Sequence, residues 1–146
     1  MKISTKGRYG LRAMIDLAVY GQKEHISLGS IAERQALSTN YLEQVFSLLR
    51  KAEIVHSVKG AQGGYMLSKP ANTITVKQIL TILEGSLMLV DPIPQEKETP
   101  LQRCLEKLVW REMNKALDNI VSTVMLEDLA ENYRQKMGMS QTMFYI

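Results

Sequence analysis

The chain of 146 residues has a single cysteine, Cys104, and two histidines, His25 and His56. One thiol excludes an internal disulfide framework, and three Cys/His side chains cannot supply a structural zinc site of the usual kind. A reducing, cytoplasmic setting is expected. Apolar stretches are interrupted by charge within a few residues, and Lys2 runs into Gly7-Arg8-Tyr9 without an apolar h-region, so neither a membrane span nor a signal peptide is expected. Aromatic residues are scarce, at 6%, and the net charge is only +3, too small to mark the whole chain as a polycation. No nucleophile, acid and base fall into an arrangement that suggests catalysis, so no catalytic residues, no metal and no cofactor are expected.

What is present is unevenly distributed. Residues 1–70 carry ten Lys/Arg against five Asp/Glu, net +5, whereas the remainder carries eight against ten, net −2. A basic first half suggests a surface for a polyanion and a second half for protein contacts, unless the asymmetry is chance on a solvated surface.

Ser4 and Thr5 are N-cap candidates for a first helix with Leu11, Met14, Ile15 and Ala18 on one face, stopped at Gly21. A helix of about two turns follows, capped by Ser27 or Ser30 and ending near Gln35. Ser38 caps a third, whose stripe is Leu42, Val45, Phe46 and Leu49 and whose other face carries Asn40, Glu43, Gln44, Ser47 and Lys51. Two short helices joined by a few turn residues form either a helix-turn-helix or a plain helical hairpin. The next segment favours the former. Ile54–Val58 and Tyr65–Leu67 are β-prone runs flanking Lys59-Gly60-Ala61-Gln62-Gly63-Gly64, which reads as a wing with a cation at its base. The glycines do not form a nucleotide loop, because no Gly-Lys-Ser/Thr follows and no helix opens behind them.

Thr75 caps a further helix with Val76, Ile79, Leu80 and Leu83 inward and Gly85 as its stop. Three prolines and mixed charge make residues 86–100 a connector. From Leu101 a helix of two dozen residues, roughly 35 Å long, carries Leu105, Leu108, Val109, Met113, Ala116, Leu117, Ile120, Val121 and Val124. A stripe that outruns a small domain points to a homodimer, although a long core helix in a monomer has the same pattern. Leu126–Ala130 extends that helix or starts another, and Gly138 is expected to end ordered structure. The expected division is therefore a mainly α winged helix-turn-helix domain with a β-hairpin over 1–85, a connector over 86–100, a dimerisation region over 101–133 and a tail over 134–146. The tail is unusual in gathering Met143, Phe144, Tyr145 and Ile146. These residues are expected to bury their surface on the dimer or on a partner.

At Lys6-Gly7-Arg8-Tyr9, Tyr41-Leu42-Glu43-Gln44, Leu49-Arg50-Lys51 and Gly63-Gly64-Tyr65 the chain resembles the winged-helix repressor family that includes IscR, NsrR and CymR. The resemblance runs through Trp110-Arg111 to Leu126-Glu127-Asp128-Leu129. It implies a dimeric regulator of double-stranded DNA with a roughly palindromic operator, the third helix in the major groove and the wing in the minor groove. Glu43 and Gln44 are then base readers, Tyr41 and Arg50 phosphate-side contacts, and Lys59 the wing base. Lys6, Arg8, Asn40 and Lys51 complete the expected DNA-binding set. Many relatives have Arg where Lys59 stands, and Lys reads a narrow minor groove less well.

Iron-sulfur members of this family use three thiolates and a nearby further ligand. Here only Cys104 offers a thiolate, with Pro92, Glu98 and Lys107 in the neighbourhood, so no cluster is expected. Cys104 is either a small residue on the stripe of the long helix or a possible redox centre flanked by Arg103 and Lys107. Within the family, the lack of cluster ligands and the Met-Phe-Tyr-Ile tail are most similar to the CymR-like repressors of cysteine metabolism. That resemblance implies cysteine synthase (O-acetylserine thiol-lyase) as partner, with O-acetylserine opposing the complex and Phe144, Tyr145 and Ile146 as contacts. The alternative is a redox-sensing regulator that acts through Cys104 without a partner enzyme.

Overall fold

A computed structural model describes residues 2–142, with side chains through 138. Helix α1, Thr5–Tyr20, opens where the Ser4 hydroxyl accepts a hydrogen bond from the Gly7 amide, and it closes where the Gly21 amide donates to the Leu17 carbonyl at 2.8 Å. Its centre is packed closely. A methyl group on Gly10 would lie 2.3 Å from Leu83 Cδ1 and 3.2 Å from Val45 Cγ1, so the missing side chain lets two other helices approach the α1 backbone.

Helix α2, Leu28–Gln35, is capped by Ser27, and helix α3, Thr39–Lys51, by Ser38. Between them Ala36 takes a left-handed conformation, φ 54°, which reverses the chain in a few residues. The buried residues of α3 are Leu42, Val45, Phe46 and Leu49, the stripe its spacing predicts. Strands β1, Val55–Val58, and β2, Gly64–Leu67, pair antiparallel with Val55 opposite Leu67 and Val58 opposite Gly64. Helix α4, Val76–Glu84, opens on a Thr75/Gln78 capping box and buries Val76, Ile79, Leu80 and Leu83.

After the connector, Pro100 occupies the first turn of α5, Pro100–Leu105, behind a second capping box formed by Thr99 and Gln102. One π-type turn, Glu106–Trp110, joins α5 to α6, Arg111–Thr123, so helix is continuous from 100 to 123. The rod therefore has the expected length, with a widened turn in its first half. Its last part lies on α4, where Val76, Leu80 and Val121 form a second small core flanked by Leu117 and Val124. Lys77 and Asp118 form an ion pair across the same seam at 2.5 Å. Both partners are about half exposed, so the pair adds little to stability.

Two sequence-based expectations are corrected beyond the rod. Helix α7, Leu126–Thr142, is a separate helix that runs through Gly138 and across the boundary expected at residue 134. Gly138 costs helix stability but lies inside the helix, one turn before its end, where one weak residue does not overcome the hydrogen bonds of its neighbours. The chain turns at Val124–Met125, the Leu126 amide donates to the Ile74 carbonyl at 2.8 Å, and α7 comes back against α1. Leu126 and Ala130 consequently sit, fully buried, in the same core as Met14, Leu17, Phe46 and Ile79. The N-terminal unit is thus completed by a helix that follows the rod in sequence.

Candidate nucleic-acid interface

Helical geometry separates the two faces of α3. With 100° per residue, Asn40, Glu43, Gln44, Ser47, Arg50 and Lys51 fall within about 120° of arc, opposite the buried stripe. Asn40, Glu43, Gln44, Arg50 and Lys51 are all exposed, and Ser47 is half-buried. The face offers two amides and a carboxylate toward its first turns and two cations at its end. That donor and acceptor set can read base edges, with cations placed for phosphates.

Tyr41 lies at the margin of this face, half-buried, its ring edge-on to Tyr9 with centroids 6.0 Å apart. Burial raises the Tyr41 hydroxyl above its ordinary pKa, and Tyr9 and Glu84 nearby act in the same direction, so it remains a neutral donor at physiological pH. Two guanidinium groups attend the Tyr9 ring, Arg8 at 5.7 Å and Arg12 at 5.2 Å from its centroid. Lys6 and Arg8 are exposed in the first turns of α1, where the unpaired amides of a helix N-terminus favour anions. The Glu84 carboxylate already accepts from the Ser4 amide and hydroxyl at this end, which ties α4 to α1.

The wing is fixed at its root and open at its tip. Ile26, just before α2, forms a β-bridge with Tyr65, its amide donating to the Tyr65 carbonyl at 2.9 Å and its carbonyl accepting from the Tyr65 amide at 2.8 Å. The Tyr65 ring packs on Phe46 of α3 with centroids 5.0 Å apart. Gly64 is required here, because a side chain would meet the Ile26 carbonyl oxygen at 2.4 Å. At the tip Gly60 has φ 127° and the Gly63 amide donates to the Gly60 carbonyl at 3.0 Å. Lys59 is exposed at the start of this turn, and the His25 ring contacts the Gln62 carbonyl. The wing therefore holds a set position relative to α3.

Lys6, Arg8, Tyr41, Asn40, Glu43, Gln44, Arg50 and Lys51 thus belong to α1 and α3, while Lys59 stands apart on the wing. Residues that motif reading overlooked support them from behind. Asp16, fully buried on α1, accepts from Arg34 Nε and Nη2 at 2.9 and 2.8 Å and from Gln35 Nε2 at 2.9 Å. Those hydrogen bonds hold the Arg34 guanidinium above its ordinary pKa. The sequence signal was an acid inside the apolar run Met14–Val19, on a helix with a buried face.

Cys104 is exposed on α5, so the small buried residue on the stripe is not what the described chain shows. Phe144, Tyr145 and Ile146 lie outside the described residues. An iron-sulfur cluster does not fit the donor set: a single thiolate is available, and no three His, Cys, Asp or Glu side chains converge among the described residues. No helix among them is long and apolar enough to cross a membrane.

Residues 3–132 match the model of the Rrf2 family, described as iron-dependent transcriptional regulators. The IscR regulator of Photorhabdus laumondii subsp. laumondii is 37% identical over 132 residues, which cover 90% of this chain and 80% of that one. Among solved structures, CymR, the global cysteine regulator of B. subtilis, is 41% identical with a TM-score of 0.78 and covers 90% of this chain and 98% of its own. The oxidised form of Staphylococcus aureus CymR is 45% identical with a TM-score of 0.71, covering 90% and 97%. With its helix-turn-helix, its wing and its rod matched over nine-tenths of its length, the chain belongs to the Rrf2 family and is a winged-helix, DNA-binding transcription regulator, not an enzyme.

Proposed function

We propose that the protein is a homodimeric repressor of cysteine and sulfur-metabolism genes that works without an iron-sulfur cluster and is regulated through a complex with cysteine synthase. The observation that carries the DNA part is the α3 face, where Asn40, Glu43 and Gln44 are exposed beside Arg50 and Lys51 and next to a wing anchored on Phe46. Glu43 and Gln44 read base edges in the major groove. Asn40 lies beside them on the same face; Tyr41, Arg50 and Lys51, with Lys6 and Arg8 from α1, hold phosphates on either side, and Lys59 enters the minor groove. Gln44→Ala should relax preference by about 1–3 kcal/mol at one position of each half-site. Arg50→Ala should weaken all duplexes alike and lower the salt slope by about one unit. Uniform loss from both variants refutes the assignment.

Dimerisation is supported by the rod. Leu101, Leu105, Leu108, Met113 and Ile120 are 70%, 39%, 66%, 46% and 60% exposed, an apolar series along one long helix. Monomeric proteins seldom leave such a stripe in water, and a two-fold partner would bury it while spacing two α3 helices along a roughly palindromic operator.

Sulfur metabolism and the partner enzyme rest on likeness to the cysteine regulator of B. subtilis and on the lack of cluster ligands. Phe144, Tyr145 and Ile146 are the proposed contacts. Purified cysteine synthase should bind the protein, O-acetylserine should disfavour the complex, and Ile146→Ala should weaken it. A complex unchanged by both removes this part of the reading. One observation favours a second reading: Cys104 is exposed, as a redox-sensing thiol must be, and one similar structure is of an oxidised form. If peroxide abolishes DNA binding by the native protein but not by Cys104→Ser, regulation runs through the thiol.

A further inference from the structure

We infer that Asp16 is a positioning residue for DNA recognition: its buried carboxylate fixes the end of α2, and through it the angle and register at which α3 presents Glu43 and Gln44. The inference rests on the proposed reading of those two side chains as base readers.

Asp16 is 0% exposed on a core helix, and its hydrogen-bond partners all lie at the end of α2 rather than on α3. An apolar residue of similar size would fill such a place at lower desolvation cost, so a retained carboxylate there implies a demand for direction that apolar packing does not meet. Its three donors come from two consecutive residues. Arg34 supplies a two-pronged contact and Gln35 the third, and both immediately precede Ala36, whose left-handed backbone turns the chain toward α3. A non-glycine residue stays in that region only when its surroundings hold it there.

The other contacts of α2's end also come from α1. Arg12 Nη2 donates to the Gln35 carbonyl at 2.6 Å, while the turn itself is closed locally by the Leu37 amide donating to the Ala32 carbonyl at 2.9 Å. Arg12 also lies on the Tyr9 ring, and Tyr9 meets Tyr41 of α3 edge-on. The outer side of the Arg34 guanidinium stacks on Tyr20 with 4.1 Å to the ring centroid, which leaves the fork one orientation. One helix therefore grips α2 at its end and α3 at its start. The turn between them cannot shift without breaking contacts to Asp16.

A small rotation of α3 has unequal consequences. Hydrogen bonds to base edges demand donor–acceptor distances near 2.9 Å and good angles, whereas attraction between cations and phosphates changes slowly with distance. Loosening the Asp16 anchor should therefore reduce discrimination between sequences far more than it reduces attraction to any duplex.

The test uses the full-length protein and two duplexes of equal length: one selected from a random library by the unaltered protein, the other its scramble. Asp16→Asn keeps the shape but turns one acceptor oxygen into a donor that faces the donors of Arg34 and Gln35. We expect affinity for the selected duplex to fall about tenfold or more, affinity for the scramble to fall less than twofold, and the salt slope to be unchanged. Gln35→Met removes one donor at a half-buried position and should shift the ratio the same way by about threefold, which keeps the question open to test if Asp16→Asn fails to fold. In the double variant Asp16→Asn, Arg34→Met the ratio should fall no further than in Asp16→Asn alone. Equal proportional loss on both duplexes, tracking the folded fraction, overturns the inference, as does an unchanged ratio in Gln35→Met and Asp16→Asn. Gln44→Ala serves as the control for the underlying reading: if it leaves the ratio intact, the base-reader assignment fails, whatever Asp16 does.

Discussion

Gly64→Ala is a substitution of one methyl group whose effect on the wing follows from the backbone alone. The new carbon would stand 2.4 Å from the Ile26 carbonyl oxygen, 2.5 Å from the Ile26 carbonyl carbon and 2.9 Å from the Ser27 amide nitrogen. All three are backbone atoms, so no rotamer change relieves the overlap, and Ile26 must separate from β2. Two hydrogen bonds at 2.8 and 2.9 Å are then lost, worth about 0.5–1.5 kcal/mol each in net terms. The packing of Tyr65 on Phe46 adds about 0.5–1.5 kcal/mol. The sum, about 2–4 kcal/mol, corresponds to a fall in melting temperature on the order of 6–12 °C for a chain of this size. Gly29→Ala is the matched control, since its methyl group meets only Ser27 Oγ, at 3.9 Å, within α2, and should leave stability equal or slightly raised. Thermal unfolding by circular dichroism reads both variants. Binding to a fluorescent operator duplex should weaken for Gly64→Ala measured well below its melting temperature, because the wing is freed from α3. A Gly64→Ala protein that melts within a degree of the parent, with unchanged DNA affinity, refutes the claim that the Ile26–Tyr65 bridge holds the wing.

Leu108→Glu places a charge in the middle of the exposed stripe at a side chain already 66% exposed, so the fold should survive while sedimentation shows a shift from dimer to monomer and operator affinity drops. A variant that stays dimeric moves the interface elsewhere. Protein purified without oxygen should be colourless and carry no stoichiometric iron or sulfide, and Cys104→Ser should bind DNA normally in reducing buffer; a visible absorbance band with bound iron would reverse the reading of the donor set. Asp118 is held below its ordinary pKa by the hydrogen bond from Lys77, so the pair contributes above the unfolded value of Asp and its contribution is lost as pH falls through the depressed folded value. Asp118→Asn should accordingly lower stability slightly at neutral pH and converge on the parent at the acid end, where the parent's pair is already lost, and a profile identical to the parent's would show that the pair contributes nothing.

Much of the geometry of the first four helices was legible because its rules are local. Ser4, Ser27, Ser38 and Thr75 each cap the helix that follows them, and Ser27 rather than Ser30 begins α2 because its hydroxyl receives the Ser30 amide. The four-residue apolar stripe of α3 left one continuous polar face for contact. Asp16 was harder to read: as a single acid in a list of charges, it looks like solvated surface until Arg34 and Gln35, some 18 residues away, are brought against it. For helix α7 the sequence left open whether it extends the rod or stands apart, and did not say where it packs, for a related reason. A pattern of apolar residues states which face is buried but not against which element, and Leu126 and Ala130 bury theirs on α1 rather than on the rod. The π-type turn at Glu106–Trp110 carries no residue signature at all, since none of its five residues is a glycine or a proline.

The return of α7 to α1 has a mechanical consequence for the reading of DNA. If the rod were joined to the winged unit only through the connector, a dimer built on it could leave two DNA-reading heads free to swing, and half-site spacing would be weakly defined. Instead the rod is held at three places: by the Val76, Leu80 and Val121 core, by the Val76 amide donating to the Val124 carbonyl at 3.0 Å, and by α7, which follows it directly and is buried at Leu126 and Ala130. Detaching it would expose fully buried aliphatic side chains, each worth about 1.5–3 kcal/mol, and break the short β-bridge between Thr75 and Met125. In the proposed dimer, any signal that rotates one rod against its two-fold mate must therefore carry α4 with it, and α4 is tied through the Glu84 carboxylate to the first turn of α1, beside Lys6 and Arg8. In such a dimer the distance between the two α3 helices is set by the rod interface, and a change at that interface alters operator affinity by changing spacing before it alters any base contact.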